Sequence, residues 1–504
     1  MGKLVSGWFE RMRSAFSREA AFDWFIVFVL GVIVRRDTDG VASVVRGLYL
    51  DPAAYESLTH SFRSNACDDA ALEKEWWSWL IGETPLYKIG GKAVLVGDDT
   101  NVPKDGRRMA GMGTIHQHSE TSSKPQYFRG HTWSVLTALT GTEPAATPLS
   151  VKLCQPKERR EEERRKIPKR AGGASAGPAR MRPVAMKKRR APATGRQESS
   201  PDDNRTVWMV ERTKAFAEAA NLCVLLVLDA WFATGTLFNE AALSNGKVDV
   251  LTRVKRNYTA HLPAPPQNPS VRKRGRPAVY GTKFTIVELF KTHADQFSEI
   301  EACVYGKTEI VRALAINLLW RPTGGMLRFI LAETSHGKIA LMASDLALAP
   351  ADAINAYCRR AKIECLFNTA KNDFGCMEYH FWTKSLEPVS RRPGKNMPSD
   401  AMRAKSLEHV RAAAKACHRH VAFSMMAVGL VQIIAEKHPG DVRKAAACWL
   451  RTHSSAIPSE AIAKRAVSRR IDHLLANPVF GRVREKIAAG RKWLADQFDD
   501  PLAA

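Results

Sequence analysis

From Trp24 to Val34 the chain reads WFIVFVLGVIV, eleven apolar residues with no polar interruption. As a helix this run is too short to cross a ~30 Å hydrocarbon layer. The RRDTDG that follows lacks the small-residue cleavage site of a secretory signal, so the pattern predicts a buried helix. Residues 1–88 as a whole read as helical, closing on the amphipathic ALEKEWWSWLIG. The pattern then changes. KAVLVGDDT (92–100) is an apolar run ended by two aspartates, and HTWSVLTAL and TPLSVKLC flank the turn TGTEPAA, which predicts three strands. Further on, TVWMVERTKAFAEAANL predicts a helix, CVLLVLDAW a strand ending at Asp229, GTLFNEAALSNG a helix and VDVLTRVKRN a strand. Residues 257–335 mix Pro/Gly loops with short strand-like runs such as FTIVELF and RFILAET. Helices dominate from Pro350 onward. No repeat of solenoid length is present.

One segment fits neither period. Residues 156–203 are poor in bulky apolar side chains and rich in Pro, Gly, Ala and Arg. Between Pro156 and Glu198 there are 15 basic and 5 acidic residues, so +10 of the chain's net +25 lies there. Such a composition buries too little surface to offset its ordering entropy and predicts a disordered basic insertion. The chain as a whole carries 76 Lys and Arg against 51 Asp and Glu. That excess favours a polyanionic partner, nucleic acid or an acidic membrane surface. The nine cysteines form no CxxC pair and read as reduced thiols of a cytosolic protein. The histidines of HQH (116–118) and CHRH (417–420) lack further ligands at zinc spacing and read as surface or capping groups. KDGRRM (104–109) reads as phosphate contacts following the first aspartate strand, or else as a solvated turn. In KRGRPAVYG, Arg274 and Arg276 suit either an A·T-rich minor groove or an ordinary basic loop.

The chemistry concentrates in YCRRAKIECLFNTAK, residues 357–371. Tyr357, Arg360, Glu364 and Lys371 sit at offsets 0, 3, 7 and 14. At about 100° per residue these fall on one narrow helical stripe, roughly 21 Å long. No Pro or Gly interrupts residues 352–373, so one continuous helix is expected. A charged stripe is by itself compatible with a solvated face. However, two buried-looking strands also end in aspartate, VLVGDD and LLVLDA, and ligands gather at strand carboxyl ends in α/β sheets. Three carboxylates without histidine or cysteine suit a hard cation such as Mg²⁺ or Mn²⁺.

These residues resemble the DDE transposases, RNase H-like recombinases of the cut-and-paste insertion-sequence type. That group carries the signature Y-x2-R-x3-E-x6-K, matched at every named position by Tyr357, Arg360, Glu364 and Lys371. Its first aspartate usually precedes a threonine, which points to Asp99 in DDT rather than Asp98, although strand alternation leaves both open because both faces look buried. The resemblance implies that Asp99, Asp229 and Glu364 ligate two Mg²⁺ or Mn²⁺ ions, and that Tyr357, Arg360 and Lys371 hold phosphates. It also implies a β-rich insertion between the second aspartate and the glutamate. Some relatives hold a flipped base on a tryptophan there; Trp320 is the candidate, beside the reading of a core residue.

The expected organisation is an α/β fold with an interrupted RNase H-like core. It comprises a helical DNA-binding region (1–88), core segments 89–155, 204–256 and 336–425, the basic insertion (156–203), a β-rich insertion (257–335) and a helical C-terminal region (426–504). The expected activity is cleavage of terminal inverted repeats and strand transfer to target double-stranded DNA. A homodimeric synapse is expected, in the bacterial cytoplasm at the nucleoid, with no membrane partner. Two alternatives stand beside it: a catalytically silent or domesticated DNA-binding derivative, and a basic RNA-binding protein. The latter explains the charge but not the placement of the three carboxylates.

Overall fold

The computed structural model describes residues 1–116, 127–154, 205–265, 278–390, 397–448 and 455–498. Five helices come first: α1 (Gly2–Met12), α2 (Glu19–Val34), α3 (Gly40–Gly47), α4 (Ala54–Ser61) and α5 (Asp69–Glu83). The apolar run lies in α2, whose residues from Phe25 to Val34 are all buried. Each large apolar side chain taken out of water there contributes about 1.5–3 kcal/mol. Asp68 caps α5 by accepting from the backbone N–H groups of Ala70 and Ala71, at 3.0 Å each.

The sheet begins with β1 (Lys88–Ile89), β2 (Lys92–Pro103), β3 (Gly113–His116), β4 (Tyr127–Thr140) and β5 (Ala145–Cys154). Helix α6 (Arg205–Ala220), β6 (Val224–Leu228), α7 (Gly235–Ala242) and β7 (Val248–Arg253) follow. β2, β4 and β5 pair antiparallel, whereas β6 lies parallel to β2 and β7 parallel to β6. This is the mixed α/β core expected from the sequence.

The β-rich stretch comprises β8 (Thr259–Pro263), β9 (Tyr280–Thr285), the short helix α8 (Leu289–Thr292), β10 (Ser298–Val304), β11 (Lys307–Trp320), β12 (Gly325–Thr334) and β13 (Gly337–Ala343). It does not form a separate sheet. β13 pairs with β7, so among the described residues all thirteen strands belong to one sheet. Trp320 ends β11 with 3% of its surface exposed, packed against Phe238 and Tyr258. In this conformation Trp320 is a core residue, the second of the two readings its sequence offered.

The chain then turns helical: α9 (Pro350–Arg359), α10 (Ala361–Asn368), α11 (Asp400–Arg403), α12 (Leu407–Lys437), α13 (Pro439–Ala446), α14 (Glu460–Arg469), α15 (Ile471–Leu475) and α16 (Gly481–Phe498). Helix α12 is long and apolar enough to cross a membrane by length and composition, but 89% of its apolar window is buried inside the protein. It packs on α2, with the Phe25 and Phe423 rings 4.9 Å apart. Its buried Arg419 is held by Asp69 at 2.6 Å and by the carbonyl of Cys67 at 2.7 Å. The first and last helices thus share one hydrophobic core with the sheet.

Candidate active site at the carboxyl ends of two parallel strands

Successive side chains of β2 point to opposite faces of the sheet, so Asp98 and Asp99 must diverge. Gly97, just before them, allows a close approach: a Cβ there would lie 2.6 Å from Leu228 and 2.8 Å from Met209. The β2–β6 ladder runs from Ala93↔Val224 to Val96↔Val227. Two residues further along both strands stand Asp98 and Asp229. The register therefore sets these two carboxylates side by side.

The signature segment lies over the Asp98 face. It is not the uninterrupted α-helix that the sequence predicts. α9 and α10 meet at Arg360, where the amide N–H of Arg360 bonds to the carbonyl of Tyr357 and that of Ile363 to the carbonyl of Arg360, a tightened turn. A single wider turn, with π-helical bonding, then spans Thr369–Asp373. One turn overwinds and the other underwinds, so the stripe stays directed at the strand ends.

Arg360 forks two carboxylates. Its Nη1 donates to Asp98 Oδ2 at 2.7 Å and its Nη2 to Glu364 Oε1 at 2.9 Å. The Tyr357 hydroxyl is 3.5 Å from Asp229 Oδ1, and Lys371 Nζ donates to the carbonyl of Asn101 at 3.2 Å. Burial raises Asp98 to about 6, with Arg360 and the Asp99 amide opposing the rise and the Asp99 and Asp229 charges adding to it. Burial likewise pushes the Tyr357 phenol to about 12, so it remains a hydrogen-bond donor. Burial lowers Lys371. For Arg360, burial works against the charge, but Asp98, Tyr357, Asp229 and Glu364 together raise it.

Asp99 faces away from this cluster. Its Oδ1 accepts from the Ser134 hydroxyl and its Oδ2 from Arg205 Nη1, each at 2.5 Å. The geometry departs here from the expectation, which grouped Asp99 with Asp229 and Glu364: the residue beside them is Asp98. The α6 side holds Asp99 because Arg205, the first residue of that helix, supplies its counter-charge.

Arg274 and Arg276 lie outside the described residues. Lys104 is not free for phosphate: it is buried, with Nζ donating to the carbonyls of Met377 and Tyr379 and lying 4.2 Å from the Tyr379 ring centre. Arg107 Nε donates to the carbonyl of Val389 at 2.8 Å. His420 is a core residue among Phe28, Phe62 and Tyr379, held neutral because burial drives its pKa far down. Two neighbours of the site were missed in the sequence, Arg205 and the half-exposed Trp231. Trp231 was visible as part of LDAW; Arg205 had no local signal that set it apart.

Fold and cluster together place the chain among α/β proteins whose site lies beyond the carboxyl ends of parallel strands. The family model described as DDE superfamily endonuclease matches residues 11–315. The chain belongs to this family. The match includes Asp98, Asp99 and Asp229 and ends before Glu364. Among solved structures, the chain is similar to the piggyBac transposase synaptic complex with hairpin DNA, determined by cryo-EM. There the identity is 11% and the TM-score 0.34, over 94% of this chain and 76% of that one. No curated protein matches the chain.

Proposed function

We propose that the chain is a DNA transposase that cleaves the ends of its element and joins them to target DNA. The observation that carries this reading is the grouping of Asp98, Asp229 and Glu364 around Arg360, in a member of the DDE endonuclease family. We assign the first carboxylate to Asp98, because register and hydrogen bonding set it beside the other two.

The donor set fits a hard divalent cation: three carboxylates, with no thiolate or imidazole. Among the described residues no three such side chains are gathered closely enough to hold an ion as they stand. Asp98 and Glu364 are spread over the two arms of Arg360 instead, and Glu364, with 61% of its side chain exposed, is free to turn. Asp98, Asp229 and Glu364 would hold Mg²⁺ or Mn²⁺. When bound, such ions activate an attacking oxygen and stabilise the leaving oxygen of a phosphodiester.

The chain's own groups do the rest. Asp98, raised only to about 6 and paired with Arg360, would be available as a carboxylate ligand at neutral pH. Arg360, once released from the carboxylates, offers two parallel N–H donors to a phosphate, and Tyr357 donates its hydroxyl. Lys371 adds a point charge at the far end of the stripe.

The test is cleavage of duplex ends by alanine variants, with end binding measured alongside. Loss of Asp98, Asp229 or Glu364 should lower cleavage by about 10³-fold or more, several kcal/mol of barrier, while binding persists. Full cleavage by Glu364→Ala or Asp229→Ala ends this proposal. Full cleavage by Asp98→Ala returns the ligand role to Asp99.

A further inference from the structure

Behind the cluster, on the opposite face of β2, three side chains join in sequence. Asp99 binds the Arg205 guanidinium, and that guanidinium lies over the Trp231 ring with its carbon 4.2 Å from the ring centre. Trp231 is fixed on another side by the edge of Phe232, 4.9 Å between ring centres. Ser134 supports Asp99 from β4 and is itself 3.2 Å from the Cys154 thiol. Asp99 and Arg205 are both largely shielded, with 15% and 28% of their side chains exposed.

The positions of the two anchors matter. Asp99 adjoins Asp98, and Trp231 lies two residues after Asp229. The β2–β6 ladder has already ended, at Val96↔Val227. Beyond that rung no backbone pairing between these two strands fixes the distance between Asp98 and Asp229. On the front, the contacts that do so are Arg360 with Asp98 and Tyr357 with Asp229. Those front contacts involve the carboxylates themselves and must yield when the carboxylates take up other partners. The rear bridge uses neither carboxylate, so it persists.

We propose that Arg205 is a positioning residue: by clasping Asp99 and Trp231 it sets the separation of Asp98 and Asp229 from behind. This rests on the reading of Asp98 and Asp229 as ligands. Arginine suits the task because one planar group makes a charged hydrogen bond in its plane and stacks through its face. A lysine keeps the first and loses most of the second.

The experiment compares wild type with Arg205→Met, Arg205→Lys and Asp99→Asn. It measures Mn²⁺ affinity by calorimetry, Trp231 emission as the difference from Trp231→Phe in each background, thermal melting and single-turnover end cleavage. The expected result for Arg205→Met is Mn²⁺ binding weakened about 10–100-fold, the usual cost of losing an outer support of a metal site. Cleavage should fall in parallel and the Trp231 emission should shift. Arg205→Lys and Asp99→Asn should lie between, with melting within a few degrees of wild type for both. Wild-type Mn²⁺ affinity in Arg205→Met overturns the proposal, and so does a loss in all three variants that merely tracks their melting temperatures. If wild type itself binds no Mn²⁺, the ligand reading fails and the clasp's role falls with it, while the emission shift still reports the stack.

Discussion

The two ends of the signature segment treat their cations in opposite ways. At Arg360 the guanidinium faces carboxylates, Asp98 and Glu364. Just past its other end, residues 373–379 are gripped by three cations whose contacts are backbone carbonyls, the Ser43 hydroxyl and the Phe374 and Tyr379 rings, with no carboxylate among them. Lys464 donates to the carbonyl of Asp373, Arg35 to those of Phe374 and Gly375, and Lys104 to those of Met377 and Tyr379. Among the described residues none of these three has an ion-pair partner. They come from α14, the end of α2 and the loop after β2, so three separate regions meet on seven residues. A cation paired with carboxylates can exchange them for phosphate; one locked onto buried carbonyls cannot. The net charge of +25 therefore overstates what is available to a polyanionic partner.

The largest effect that can break this contrast is on chemistry. Arg360→Ala should slow cleavage by about 10²–10³-fold, as loss of one well-placed donor does elsewhere, with little change in melting. Arg35→Met should do the reverse. Leaving the Phe374 and Gly375 carbonyls unpaired should cost about 2–4 kcal/mol in urea unfolding, while the folded fraction still binds DNA. If Arg360→Ala destabilises the fold as strongly as Arg35→Met, the distinction between the two ends fails.

A pH profile sharpens it. Asp98 is raised to about 6 by burial, with Arg360 opposing the rise; as the proposed ligand it would act only when ionised. Cleavage at limiting metal should thus climb as pH rises through about 6, and the midpoint should move upward in Arg360→Ala. Lys464 titrates the other way round. Burial, helped by Arg35, lowers it from 10.5 to about 8. Between those values the unfolded chain binds the extra proton, so this group makes stability rise with pH. Relative to Lys464→Met, wild type should gain stability between pH 8 and 10, read from paired urea titrations. A flat difference means the amine is solvated.

The smallest effect is in salt dependence. Lys371→Ala should flatten the slope of log affinity against log salt by about 0.9 on duplex DNA, one phosphate contact. Lys104→Ala should leave that slope unchanged even where it lowers melting. A change of slope with Lys104→Ala puts that residue back among the phosphate contacts.

Element types were legible because apolar period and run length carry them. The α2 run, the strand carrying Asp98, the strand running up to Asp229 and the helices from Pro350 onward are where the pattern predicts, although β2 continues to Pro103. The choice between Asp98 and Asp99 was not, because both faces of β2 are covered and alternation offers no inside or outside. That choice depends on pairing Val96 with Val227 and on arginines more than a hundred residues away. Trp320 is decided by Phe238 and Tyr258, and Lys104 by the 377–379 carbonyls, both distant in sequence. Arg205 directly follows a segment dense in Arg and Lys, where one more arginine carries no contrast.

The burial of α2 also bears on the order in which the protein is made. Its apolar face is covered by α12, α14 and α16, with Phe25 against Phe423 and Trp24 beneath Lys486. On the ribosome, α2 emerges long before Leu407 begins α12. At about 5–20 residues per second that gap lasts roughly 20–75 s. Throughout it, one of the most apolar helices of the chain waits for a partner that has not been translated. Trp8, Phe9 and Phe62 reach α2 early, but the side that α12 covers stays open for most of synthesis and is the expected aggregation-prone surface. Slowing translation downstream of residue 100 should deplete soluble yield more than slowing it after residue 440, where α12 is complete.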